Sequence, residues 1–177
     1  MTNSPSSSDE RDVLANALAG VPAADYGDQY QAHLLEQYKK YLDMTDKISD
    51  RRSTSNTFFL TMNTGLISAF GIVNLTGQKL SPFLLMTGCA AAIVLCYSWS
   101  RLVRSYRDLN SAKFKVVHEM ENNLPMRPFD AEWEAVGRGL NANLYQPFTH
   151  IEKNVPWIFI AIYFLMIGFS IYQVVRT

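Results

Sequence analysis

The sequence predicts an all-α integral membrane protein with three transmembrane helices. The first two form a long antiparallel hairpin that extends into a helical stalk outside the bilayer. Three runs of about 17–19 uncharged residues can each cross a hydrocarbon core of roughly 30 Å at the usual helical rise. None of the 16 acidic or 16 basic residues lies inside these runs. The segments that flank the first two runs outside the predicted bilayer contain no glycine or proline, so the helices should continue beyond it.

A tight turn joins the first two spans. The runs TFFLTMNTGLISAFGIVNL and FLLMTGCAAAIVLCYSW are separated by TGQKLSP, in which Lys79 is the only charged residue. Gly77 and Pro82 break the helix on either side, so the second span must return antiparallel to the first. The third run, WIFIAIYFLMIGFSIYQVV, has Trp157 and Tyr172 near its ends, where aromatic side chains favour the membrane interface.

The chain is predicted to divide into five segments. These are a flexible N-terminal tail (1–27), a stalk helix continuous with the first span (28–76), the second span continuous with a second stalk helix (82–124), a cytoplasmic connector with a short helix (125–156), and the third span (157–175). Both stalk helices carry apolar residues at intervals of three and four. These stripes should pack against each other or against neighbouring copies, because neither can remain exposed.

The distribution of basic residues predicts the orientation. All lysines and arginines except Lys79 and Arg176 precede the first span or lie between the second and third. The positive-inside rule therefore places the N-terminus and the stalk in the cytoplasm of a bacterium and the C-terminus on the periplasmic side of the inner membrane. The lipid bilayer is the first predicted partner, and five arginines are predicted to anchor the cytoplasmic interface: Arg51, Arg52, Arg101, Arg104 and Arg107.

The sequence offers no pattern typical of an enzyme. The histidines His33, His118 and His150 are scattered without metal-ligand spacing, and no phosphate-binding loop or nucleophile elbow occurs. We assign no catalytic residue, cofactor or metal ligand. The segment HEME, from His118 to Glu121, is interpreted as a solvated helix face. A formal net charge of zero gives no reason to expect a nucleic-acid partner.

Two rows of small or hydroxylated residues follow the first two spans. The first row contains Thr57, Thr61, Thr64 and Ser68. Because polar groups in lipid are unfavourable without partners, this row should face protein, as hydrogen-bonding contacts between helices, or water around a central opening. Asn63 lies nearby. The second row, at strict four-residue spacing, is predicted to be a close helix-packing face and contains Gly88, Ala92, Cys96 and Ser100.

The run YQAHLLEQYKKYLDMTDKISDRRSTSNTFFLTMNTGLISAFG and the later run RSYRDLNSAKFKVVHEMENNLP resemble the RipA-like family of small octameric bacterial inner-membrane proteins. The resemblance extends from about Tyr30 to Tyr172. The resemblance implies a homo-oligomer, expected to be an octamer, with no established enzymatic activity. It gives no active-site residues to assign in this chain. The arrangement is also loosely similar to two-span effectors of bacterial conflict systems, although this chain has a third span and no recognisable sensor domain.

Two functions therefore remain open. The first is a non-enzymatic homo-oligomeric scaffold or pore-like assembly with a cytoplasmic helical ring. The alternative is a stress- or defence-triggered effector that perturbs the membrane when an unknown cytoplasmic partner binds near Arg101–Lys115. Growth arrest on expression would favour the effector.

Overall fold

The computed structural model describes residues 7–77, 81–140 and 149–176. Every regular element in these ranges is helical. They are α1 (Ser7–Leu18), α2 (Ala23–Tyr26), α3 (Tyr30–Leu75), α4 (Pro82–Glu121), α5 (Pro128–Ala135), a 3₁₀ turn (Gly137–Gly139), α6 (Thr149–Glu152) and α7 (Val155–Arg176). Helices α3, α4 and α7 are long and apolar enough to cross a membrane. The predicted all-α class with three transmembrane helices is confirmed.

Helix α3 runs without interruption for 46 residues and α4 for 40. Gly77 follows the end of α3 with a φ of +73°, the left-handed conformation in which glycine commonly ends a helix. Part of the predicted tail (1–6), of the hairpin turn (78–80) and of the connector (141–148) lies outside the described residues. The rest of the tail contains α1 and α2, and its flexibility stays a prediction.

The chain forms two compact units. The stalk unit comprises Met1–Lys47 and Leu109–Tyr145, and the membrane unit comprises Ile48–Asp108 and Gln146–Thr177. Helices α3 and α4 contribute residues to both, so each unit contains one section of each helix. The predicted spans and their interfaces belong to the membrane unit.

In the membrane unit α3 and α4 are antiparallel. Residues later in α3 contact residues earlier in α4. Trp99 bonds to Asn56, and a Cβ placed on Gly88 would lie 3.0 Å from the Phe70 ring. A larger residue at position 88 would therefore require the Phe70 ring to shift. The centre of this unit is a cluster of buried residues from α4 and α7: Cys89, Ala92, Cys96, Ile160 and Tyr163.

In the stalk unit the same antiparallel order holds. Tyr38 of α3 contacts Glu121 at the end of α4, and Tyr41 contacts Lys113, about two turns before Glu121. The short helix α5 is part of this unit, and its Phe129 ring lies 5.9 Å from that of Phe114 on α4. Val117 is fully buried in this unit.

Candidate functional site

The three membrane helices meet at one polar side chain. Asn63 of α3 is 1% exposed, and its Oδ1 accepts hydrogen bonds from the Tyr163 hydroxyl of α7 (3.0 Å) and from Sγ of Cys96 on α4 (3.0 Å). Its Nδ2 donates to the backbone oxygen of Phe59 at 2.8 Å. A buried amide is costly in a lipid-facing bundle unless it is paired, and here both ends of the amide are paired. Asn63 therefore connects α3 to both of the other spans.

Asn63 is close to the hydroxyl row in the sequence, but the two lie on different sides of α3. Thr57, Thr61, Thr64 and Ser68 are all exposed in the subunit, whereas Asn63 is buried. At 100° per residue the row lies roughly 140° around the helix from Asn63. Within one chain the hydroxyl row is therefore exposed, and it is available to lipid, water or another copy.

The predicted packing row on α4 lies on the side that faces the other helices. Ala92, Cys96 and Ser100 are 1%, 0% and 6% exposed, and Gly88 is half-buried against α3. Cys96 is more than a small filler, because its thiol also bonds to Asn63. Both cysteines of the chain, Cys89 and Cys96, are free and buried.

Aromatic residues pack together where α3, α4 and α7 approach the connector. The Trp99 ring stacks on Phe59 with centroids 5.6 Å apart and lies 6.2 Å from Phe159. The indole Nε1 of Trp99 donates to Oδ1 of Asn56 at 2.9 Å. Such a pairing satisfies the polar edge of a ring whose remaining surface is buried against apolar neighbours.

The five arginines predicted as interface anchors have different surroundings. Arg52 is half-buried and forms an ion pair with Glu152 of α6. Arg107 is exposed and donates to the adjacent Asp108 at 2.7 and 2.9 Å. The remaining three, Arg51, Arg101 and Arg104, are exposed. Their role as anchors stays a prediction.

A buried carboxylate organises the stalk unit. Glu121, at the end of α4, is 0% exposed. Its Oε1 accepts from the Tyr38 hydroxyl (2.9 Å) and the Phe129 backbone N–H (3.1 Å), and its Oε2 accepts from the Asp130 N–H (3.2 Å). The last two donors belong to the first turn of α5, where free N–H groups and the helix dipole favour an anion.

The solvated-face interpretation of the HEME segment is therefore wrong for Glu121. Helix α5 has no capping side chain at Arg127, so the carboxylate of Glu121 provides the acceptors that a local cap would supply. His118 is half-buried, with Nδ1 3.5 Å from Oδ1 of Asp130.

The environment of Tyr38 fits this arrangement. Burial, the hydrogen bond to Glu121 and the negative charge of that carboxylate raise the pKa of Tyr38 to about 12. The phenol therefore remains a proton donor throughout the physiological pH range. One turn further along α3, the ammonium group of Lys113 lies 4.5 Å above the centre of the Tyr41 ring, a favourable cation–π contact.

No group of three or more potential metal ligands occurs among the residues that the structure describes. What the site brings together is a set of structural polar contacts. Sequence reasoning named Asn63 without its partners and missed Tyr163, Tyr38 and the role of Glu121. The sequence signal for Asn63 was an amide side chain in the interior of the first span.

The sequence model of the octameric membrane protein family (8xMP) matches residues 35–172, which is most of the chain. The match includes the first two spans, most of the third span, the second section of the stalk unit and part of its first section. No curated protein and no solved structure matched the chain.

Proposed function

Since the chain belongs to the octameric membrane protein family, we propose that it acts as a non-enzymatic homo-oligomeric assembly, a scaffold or a pore, whose copies meet around the hydroxyl row of α3. The observation that supports this is the exposure of that row, Thr57, Thr61, Thr64 and Ser68, on the side of α3 away from Asn63. Hydroxyl groups in hydrocarbon are stabilised by partners, which another copy or water in a central opening would supply.

The size of the residues on this side also favours contact with other copies. Gly65 lies on the same side of α3 as Thr61 and Ser68, and no atom of the chain lies within 4 Å of a Cβ built on it. Small side chains let two helix backbones approach closely, which increases dispersion contacts in a membrane. In an octamer, eight such surfaces would be arranged around one axis.

We place the assembly in the bacterial inner membrane with the stalk unit and N-terminus in the cytoplasm. The support is the charge distribution, since only Lys79 and Arg176 among the basic residues lie on the opposite side of the predicted spans. A reporter enzyme that functions only in the periplasm should accordingly be active when it is fused to Thr177.

The pore form of this proposal predicts the effect of Thr61→Leu. Around an aqueous opening the change would add eight apolar side chains, which favour dewetting of the constriction. We expect ion leak through the purified protein in liposomes to fall severalfold. The matched control is Met62→Leu, since Met62 is also exposed on α3 but lies about 100° away from Thr61.

The outcomes separate the two forms. If the wild-type protein carries ions and both variants conduct equally, the row does not line the opening. If the wild-type protein assembles but carries no ions, the pore is contradicted and the scaffold form is supported.

A membrane effector opened by a cytoplasmic partner is the second candidate function. The observation that favours it is the exposure of Arg101 and Arg104 at the start of the basic segment that ends at Lys115. Such exposed charges suit electrostatic recognition of an acidic partner. Growth arrest on controlled expression, abolished by Arg104→Glu, would support this function.

A further inference from the structure

A shallow groove of about 430 Å³ follows the outer side of α4 where its apolar run ends. It is lined by Tyr97, Ser98, Arg101, Leu102 and Ser105. These residues recur at helical spacing, so they form one continuous strip along two turns of the helix. The strip begins within the predicted span and ends beyond it.

Several polar groups in this groove are available to a ligand. The guanidinium of Arg101 and the hydroxyls of Tyr97 and Ser105 make no hydrogen bond or ion pair with another residue in the described ranges. The Ser98 hydroxyl donates to the Val94 backbone oxygen at 3.0 Å and keeps a lone pair free. By contrast, the charge of Arg107, less than two turns further along, is already paired with Asp108.

Along the strip, apolar residues are followed by an aromatic residue and then by polar and charged residues. This order matches the acyl chains, interface and head group of a phospholipid. On the span side, Val94 is 64% exposed and Leu95 is 38% exposed, which presents an apolar surface to acyl chains. Tyr97, 54% exposed, then lies at the level where aromatic rings favour the membrane interface. Arg101 and Ser105 follow at the level of the head groups. An arginine that can use its planar donor pair on phosphate oxygens suits this position.

We propose that this groove binds the phosphate of an anionic phospholipid, with Arg101 as the charged contact and Tyr97 and Ser105 as hydroxyl donors. The acyl chains of the lipid lie along Val94 and Leu95. The site is independent of copy number and of whether the assembly conducts ions. It requires only that α4 crosses the bilayer with the groove facing lipid.

Native mass spectrometry of the full-length protein tests the site. Wild-type protein in mild detergent would be titrated with phosphatidylglycerol and, in parallel, with phosphatidylcholine of the same chain length. Removing one cation near an anionic lipid surface typically weakens binding about fivefold. We therefore expect Arg101→Ala to lower the phosphatidylglycerol retained per subunit by about that factor, and Tyr97→Phe to lower it by less.

Arg138→Ala is the matched control, because it removes one exposed arginine of the stalk unit whose charge Glu134 already balances. It should retain phosphatidylglycerol as the wild type does. Equal loss in both arginine variants would show nonspecific attraction and overturn the site, as would equal retention of phosphatidylcholine by the wild type. Inorganic phosphate at millimolar concentration should displace little lipid. Complete displacement would identify a free-phosphate site and overturn the lipid assignment.

Discussion

Replacing Glu121 by alanine is expected to release α5 from the stalk unit. The change leaves the Tyr38 hydroxyl and the N–H groups of Phe129 and Asp130 without the acceptor that each now has. Stranding buried donors after loss of a charged partner typically costs about 3–5 kcal/mol. Amide hydrogen exchange on the full-length protein would measure this, as a loss of protection of about 100-fold or more at the amides of residues 129–135.

Glu119→Ala is the matched control for this prediction. Glu119 lies two residues earlier on α4 and is half-buried, and its carboxylate accepts from the Asn122 side chain at 3.2 Å. Its removal should change exchange in α5 by less than threefold. Glu121→Gln keeps the shape and one acceptor oxygen, so it should fall between the two. Unchanged protection of α5 in Glu121→Ala would contradict the role assigned to this carboxylate.

The second large effect is expected for Asn63→Leu in the membrane unit. Leucine has nearly the same volume but cannot accept from Tyr163 or Cys96, so the Tyr163 hydroxyl, in a residue that is 0% exposed, loses its side-chain acceptor. Hydrogen bonds between membrane helices contribute about 0.6–2 kcal/mol each. A loss of about 2 kcal/mol corresponds to a fall of about 4–8 °C in the melting temperature of a chain of this size.

Asn74→Leu provides the control on the same helix. The Asn74 side chain is exposed and bonds to the Phe70 backbone oxygen at 3.0 Å. Its replacement should leave the melting temperature within about 2 °C of the wild type, the range of ordinary surface changes. If the two variants had the same melting temperature, Asn63 would not be the residue that connects the three spans.

The long helices could be predicted because the sequence contains few interruptions. The second helix was expected to reach residue 124, whereas α4 ends at Glu121. Proline disfavours helical geometry in the residue before it, so Pro125 prevents α4 from continuing through residue 124. The backbone N–H groups of Asn123 and Leu124 bond instead three residues back, at 3.1 Å each.

The small-residue row on α4 could be predicted because packing follows a helical period. Spacing alone placed Ala92, Cys96 and Ser100 together, and the structure buries all three. The helical period also places Asn63 on a different side of α3 from Thr61 and Thr64, but it does not show which of the two sides meets its own subunit. That distinction requires the positions of α4 and α7.

The role of Glu121 could not be predicted from local patterns. Its carboxylate oxygens accept hydrogen bonds from N–H groups eight and nine residues later in the chain. A charged residue in a stalk helix is normally solvated, since burying a charge without partners is costly. The available signal was indirect, because Pro128 starts a helix and Arg127 is not a residue that caps one.

The mass of the intact complex shows whether the chain forms a homo-oligomer. Several copies of the chain are needed to cover the hydroxyl row of α3, and the family match indicates eight. Native mass spectrometry of wild-type protein from mild detergent should give a particle of about 160 kDa, eight times the 20.1 kDa of one chain. A single chain as the largest species under the mildest conditions would contradict it.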